Sequence, residues 1–170
     1  MLELRAMTDR TFQRFLDHAV PQYAAEKMRS GEWSPQEAQA RGEGEFHMLL
    51  PEGQNTPDNL LYDLHDPTGP AAPANSDPAT GIDVGVLWYA LRDRGGVRSA
   101  FVYEIEVNAH YRRRGYATQA FGLLEQDAAR RGAGSLQLHV FGHNHGARQL
   151  YERLGFLPTN LILRKELPER

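Results

Sequence analysis

Three consecutive arginines, Arg112, Arg113 and Arg114, stand against Gly115 in the stretch YRRRGYAT (111–118). Just after them, Tyr116, Ala120, Leu123, Leu124 and Ala128 fall at helical spacing. Just before them, RSAFVYEIEVN (98–108) is β-branched and aromatic, a strand pattern. The basic cluster therefore lies where a strand gives way to a helix. At such a junction the first helical N–H groups lack partners and the helix dipole is positive, which suits an anion. Gly115 permits a tight turn and a close backbone approach. Ala117 and Thr118 keep the first turn small, Thr118 adds a hydroxyl, and the arginines add charge-assisted contacts. A solvated arginine run fits the same letters, but arginines at a helix N-terminus oppose the dipole, and a bound anion would compensate. Neither G-x-x-x-x-G-K-[ST] nor G-x-G-x-x-G accounts for the site.

Two carboxylates stand on the preceding strand. Glu104 and Glu106 alternate with Tyr103, Ile105 and Val107, so both share one strand face. His139, His143 and His145 run from a strand into a loop without H-E-x-x-H spacing, and no metal site is expected from them. The chain has no cysteine, which excludes disulfides, thiolate metal ligands and a cysteine nucleophile. Its formal net charge of -3 argues against general nucleic-acid binding, so the arginine cluster is local in purpose. An aromatic platform for single strands is also missing, which counts against a phosphate- or RNA-binding module. No run of 18 apolar residues occurs, and MLELRAMTDRTFQRF lacks the layout of a signal peptide. The expectation is a cytoplasmic protein without a membrane partner.

The elements that must position these residues follow from pattern. With 170 residues, 41% hydrophobic, the chain fits a single domain spanning 1–170. LELRAMT (2–8) reads as a strand, and Thr8 caps a helix running to about residue 28. A second helix is expected to start at Ser34, with Pro35 at its first position and Glu37 completing a capping box. NLLYDLHD (59–66) is a short strand. The aperiodic, Pro/Ala/Gly-rich stretch 66–81 reads as an exposed hairpin insertion. IDVGVLWYALRD (82–93) and 98–108, separated by RGG, form an antiparallel hairpin. RGAG ends the helix after the arginine cluster, and SLQLHVFG (135–142) is a strand. Ala147, Leu150, Tyr151 and Leu154 mark a short helix capped by Asn144 and left through Gly155, and FLPTNLILRKEL (156–167) closes as one or two strands. The order β-α-α-β-β-β-α-β-α-β is that of an α/β sandwich around a mixed central sheet flanked by helices.

IEVNAHYRRRGYAT (105–118) resembles the acyl-CoA-binding segment of the GNAT superfamily of N-acetyltransferases. There an apolar strand end is followed by R/Q-x-x-G-x-G/A, and Arg112, Gly115 and Ala117 match. LHVFGHNHGARQLYERLGF (138–156) is similar to the family's V-x-x-x-N-x-x-A-x-x-L-Y-x-x-x-G-F, through Val140, Asn144, Ala147, Leu150, Tyr151, Gly155 and Phe156. The likeness covers residues 82–167; the first 80 match in element order only. Ala117 stands where many members have Gly, and Ala109 where proline is frequent.

The resemblance implies a GNAT-like acyl-CoA N-acyltransferase fold and acetyl transfer from acetyl-CoA to a primary amine. The acceptor would be a small molecule or a protein amine. Backbone N–H groups from Arg113 through Arg114, Gly115, Tyr116 and Ala117 to Thr118 would cradle the CoA pyrophosphate. The pantetheine arm would run like an added strand near Ile105 and Val107, with Asn144 contacting it or the pyrophosphate; capping a helix is the local alternative for Asn144. Tyr151 would be the general acid, and a packed ring does not prevent that. For the base three options stand: Glu104, His139 on the neighbouring strand, or water alone. With no cysteine, the amine would attack directly within a ternary complex. The family also leaves open a homodimer, and a non-catalytic CoA-binding protein of the same fold.

Overall fold

A computed structural model of the protein describes residues 1–69, 81–165 and 167. They divide into two units, Met1–His139 and Val140–Arg170.

In the first unit, strand β1 (Glu3–Ala6) runs into helix α1 (Asp9–Arg29), whose start is set by Thr8. Thr11 N–H donates to the Thr8 hydroxyl at 3.3 Å and Thr8 N–H donates to the Thr11 hydroxyl at 2.9 Å, so two orphan donors are met reciprocally. Helix α2 (Ala38–Leu49) begins later than its sequence signals imply. Among the described residues only half of the expected capping box forms: Glu37 accepts from Ser34 N–H at 3.4 Å, and the serine hydroxyl accepts no reciprocal bond from Glu37 N–H. Instead the Ser34 carbonyl accepts from both Glu37 and Ala38 N–H, closing a separate turn ahead of the helix.

The sheet is built by hairpins. Strands β2 (Asn59–Asp66), β3 (Ile82–Arg94) and β4 (Val97–Val107) pair antiparallel in sequence, with β1 against β2. Gly95 and Gly96 turn β3 into β4 at φ of 58° and 79°, left-handed values that matched two-residue turns require. Asp66 lies opposite Ile82, so the 66–81 stretch joins antiparallel neighbours, although residues 70–80 of that insertion lie outside the described residues. Helix α3 (Tyr116–Arg130) then carries the chain back to strand β5 (Leu136–Leu138), which pairs parallel with β4. The result is one open mixed sheet in the order β1-β2-β3-β4-β5. β5 is shorter than the strand expected over 135–142, because its ladder ends where Leu138 meets Val102.

Consecutive side chains on β3 separate the two faces. Trp88 packs with Phe15 of α1 and Phe46 of α2, while Tyr89 turns the other way and donates its hydroxyl to Asp127 of α3 at 2.6 Å. Helices therefore cover both faces of the sheet. Tyr62 of β2 also donates to Asp127, at 2.9 Å, and Arg131 lies 3.2 Å away. Burial works against charge on Asp127, yet the bonds from Tyr89, Tyr62 and Arg131 prevail and hold its carboxyl below the usual range.

In the second unit, Asn144 caps helix α4 (His145–Arg153) by accepting from Ala147 N–H at 3.2 Å. Gly155, at φ 86°, takes the chain out, and Phe156 N–H returns to the Tyr151 carbonyl. The expected closing strands over 156–167 are absent among the described residues. Leu161, Ile162 and Leu163 have strand-forming side chains but are exposed, and no ladder pairs with them. A β pattern becomes a strand only where its main-chain groups meet a partner.

Replacing Asp127 by alanine takes the acceptor from two phenol hydroxyls beneath α3, of which Tyr62 keeps only the bond from Arg131, at a cost of about 3 kcal/mol in urea unfolding at pH 7. A carboxyl lowered by folding contributes above its unfolded pKa, so the gap between wild type and variant should narrow below about pH 4.

Candidate functional site

The strand-to-helix junction is built from main chain. Beyond Val107 a short turn, Ala109–Tyr111, uses the N–H groups of Tyr111 and Arg112. The next donor with an acceptor is Gln119, which bonds the Gly115 carbonyl at 3.1 Å. Among the described residues, the N–H groups of Arg113, Arg114, Gly115, Tyr116, Ala117 and Thr118 thus have no acceptor. Arg113 and Gly115 hold left-handed φ of 62° and 80°. Such alternation, at the N-terminus of a 15-residue helix, is the geometry of an anion-binding concavity. A Cβ on Gly115 would touch nothing within 4 Å, so conformation and not crowding calls for glycine there. As the residue before the helix it also offers no side chain that could cap those donors.

The side chains around this loop divide. Arg113 and Arg114 are exposed and, among the described residues, enter no ion pair; the Arg114 guanidinium lies 5.9 Å from the Tyr111 ring. Arg112 turns back instead: its Nε donates to the Val107 carbonyl at 2.8 Å and its Nη2 to Glu106 at 2.9 Å. Tyr116 anchors the helix start by donating its hydroxyl to Asp66 at the end of β2, 2.5 Å away. That bond holds the Asp66 carboxyl low and the Tyr116 phenol high. Residues 113–118 are thereby gathered into one arc of donors, with Ala117 and the exposed Thr118 in the first helical turn.

Beside the loop, β4 carries the carboxylates. Trp88 pairs with Glu104 and Tyr89 with Val102, so Tyr103 is an extra residue, a β-bulge. Tyr103 stacks on Trp88 at 4.2 Å and touches Phe101, so it faces α1 and α2. Glu104 and Glu106, opposite Trp88 and Val86, share that face. Plain alternation had put Tyr103 on the far side from both glutamates; the bulge brings it beside Glu104. Burial pushes the Glu104 carboxyl up to about 7, helped by the charge of Glu106 and opposed by His18 and by a backbone bond at Ile105. β5 leaves β4 after Val102, and among the described residues nothing pairs with the outer edge of β4 from there through Ile105 to Val107.

His139 follows β5 directly and is exposed. It lies near the α1–α2 connection: the Lys27 ammonium, 2.6 Å from the Glu32 carboxylate, does most to hold Glu32 low, and His139 adds to it. In the second unit Asn144 spends its side-chain oxygen on Ala147 N–H, and the half-buried Tyr151 ring meets Phe156 edge-on at 5.7 Å. Sequence reading missed the bond of Glu106 with both Arg112 and His18, and that of Tyr116 with Asp66. No local pattern marks partners 88 or 50 positions apart.

Residues 12–156 match the model of the acetyltransferase (GNAT) family. The chain belongs to that family. The uncharacterized N-acetyltransferase YycN of Bacillus subtilis (strain 168) is 35% identical over 96% of this chain and 97% of its own length. The crystal structure of YycN superposes with a TM-score of 0.86 at 34% identity, covering 99% of this chain and all of that one. A second protein of that organism, the uncharacterized N-acetyltransferase YdgE, is 28% identical over 96% and 97% of the two chains. At 15% identity, and so as a likeness of fold alone, AAC(6')-Iy superposes with a TM-score of 0.57 over 99% of each chain. That structure holds the bisubstrate analogue CoA-S-monomethyl-acetylneamine. Acetyl-CoA is the acetyl donor of the GNAT family, and an arc of free amides flanked by two arginines fits its diphosphate. Among the described residues no group of three His, Cys, Asp or Glu side chains could hold a metal ion, and no helix is long and apolar enough to cross a membrane.

A carboxyl whose pKa rises on folding favours the native state while protonated and penalises it once ionised. Glu104→Gln should therefore raise Tm at pH 8, where the wild-type group is charged, and leave it nearly unchanged at pH 5. Matched thermal melts at the two pH values check this.

Proposed function

We propose that the protein transfers the acetyl group of acetyl-CoA to a primary amine by direct attack in a ternary complex. The observation that carries this is the run of N–H groups from Arg113 to Thr118 that have no acceptor among the described residues, an arrangement suited to a diphosphate. Acetyl-CoA brings the activated thioester. The amine must reach it neutral, and Glu104 is the group suited to accept the amine's proton, since a carboxyl near 7 exchanges protons at physiological pH. The carboxylates of Glu104 and Glu106 on one face also favour a cationic acceptor. The unpaired edge of β4 at Ile105 and Val107 supports an extended pantetheine arm lying along it. Tyr151 is assigned the proton for the departing thiolate on its position in the family motif.

Acetyl-CoA should raise the melting temperature of the full chain by linkage, and an amine panel should release thiol in proportion to turnover. Binding without thiol release across the panel would leave a CoA-binding protein in place of an enzyme. In active enzyme, kcat/KM should rise through pH 7 and lose that limb in Glu104→Gln; a limb that persists, and vanishes instead in His139→Ala, reassigns the base. Tyr151→Phe should cut kcat while sparing CoA affinity.

Gly115→Ala forces a side chain into left-handed backbone and should weaken CoA about ten-fold by calorimetry.

A further inference from the structure

Glu106 engages partners through both carboxylate oxygens. His18 Nε2 lies 2.9 Å from Oε2, and Arg112 Nη2 donates to Oε1 at 2.9 Å. The same guanidinium donates through Nε to the Val107 carbonyl at 2.8 Å. An arginine whose motif position marks it for an anion thus spends its guanidinium on the strand it has just left. Arg113 and Arg114 remain to face a phosphate. The close seating of the strands also places Glu106: a Cβ on Gly85 would stand 2.0 Å from the Glu106 carbonyl oxygen, so only glycine lets β3 lie there.

A half-buried carboxylate beside an anion loop opposes binding of a diphosphate, unless it does something else. We propose that Glu106 is a positioning residue for the loop, holding Arg112 as a strut between the end of β4 and left-handed Arg113. Arg112 immediately precedes Arg113, so pinning its guanidinium at two points limits where the left-handed segment can begin. The donors from Arg113 to Thr118 are then aligned in the free protein. This inference rests on the reading of the loop as a diphosphate cradle. It assigns Arg112 to the shape of the cradle and not to its charge.

The sign of a charge change separates the strut from plain electrostatics. Removing a negative charge near an anion site should tighten binding, and exchanging arginine for lysine should leave it alone. The strut requires the reverse. By calorimetry of the full chain with CoA at fixed ionic strength, Glu106→Gln and Arg112→Lys should each weaken binding roughly five-fold. The double variant should be no weaker than the weaker single, because both changes break one device. In steady state, Arg112→Lys should raise KM for acetyl-CoA by a similar factor while KM for the amine holds. Arg112→Lys, at a side chain 57% exposed, keeps the test open should Glu106→Gln fail to fold. Unchanged or tighter binding in Glu106→Gln, unchanged binding in Arg112→Lys, or additive losses in the double variant would overturn the strut alone. A wild-type chain that does not bind CoA overturns the cradle reading, and the strut with it.

Discussion

A helix that starts without a cap must leave its first amides to something outside the chain. In this protein α1 closes its N-terminus with Thr8 and Thr11, and α4 closes its own with Asn144. Between them α3 begins at Gly115, a residue with no side chain to lend, after a left-handed Arg113. Open donors at that start have no side chain to cap them, and α2 likewise begins without a side-chain cap. The sheet, the returning Arg112 and the Tyr116–Asp66 bond all serve to hold that open turn in place.

The sheet contributes through two local irregularities. The bulge at Tyr103 shifts the facing of β4 by one residue, which puts Glu104 beside an aromatic stack under α1 and α2. There the carboxyl loses water and feels Glu106, and its proton is held to near neutrality. The second irregularity is the early departure of β5, which among the described residues leaves β4 with an unpaired edge next to the amide arc. An exposed edge is ordinarily a liability, and the proposed function gives this one an extended ligand arm as its partner.

The charges are arranged with the same economy. Three arginines in a row read as one basic patch, yet they divide into one that braces the strand end and two that, among the described residues, enter no ion pair. Two glutamates in alternation read as equivalent, yet Glu106 is tied at both oxygens while desolvation pushes the half-buried Glu104 up. Neighbouring letters of one type take opposite tasks because their partners come from distant parts of the chain.

Much of this was legible before any coordinates. The strand at 59–66, the 82–107 hairpin, the Thr8 and Asn144 caps and the glycine at the arginine turn rest on interactions within a few residues, and spacing is enough to reveal those. The start of α2 was misread because Ser34 and Glu37 satisfy a turn as well as a helix. The reach of β5 and the expected strands at 156–167 depended on pairing, which no single segment can supply. What the residues by themselves determined is the glycine turn between β4 and α3 and the motif that frames it, since backbone conformation at Gly115 and helix spacing are local properties. Only the tertiary structure decided which glutamate holds a proton near pH 7 and where Arg112 points. Desolvation and ion pairing are set by groups that folding alone brings within 3 Å.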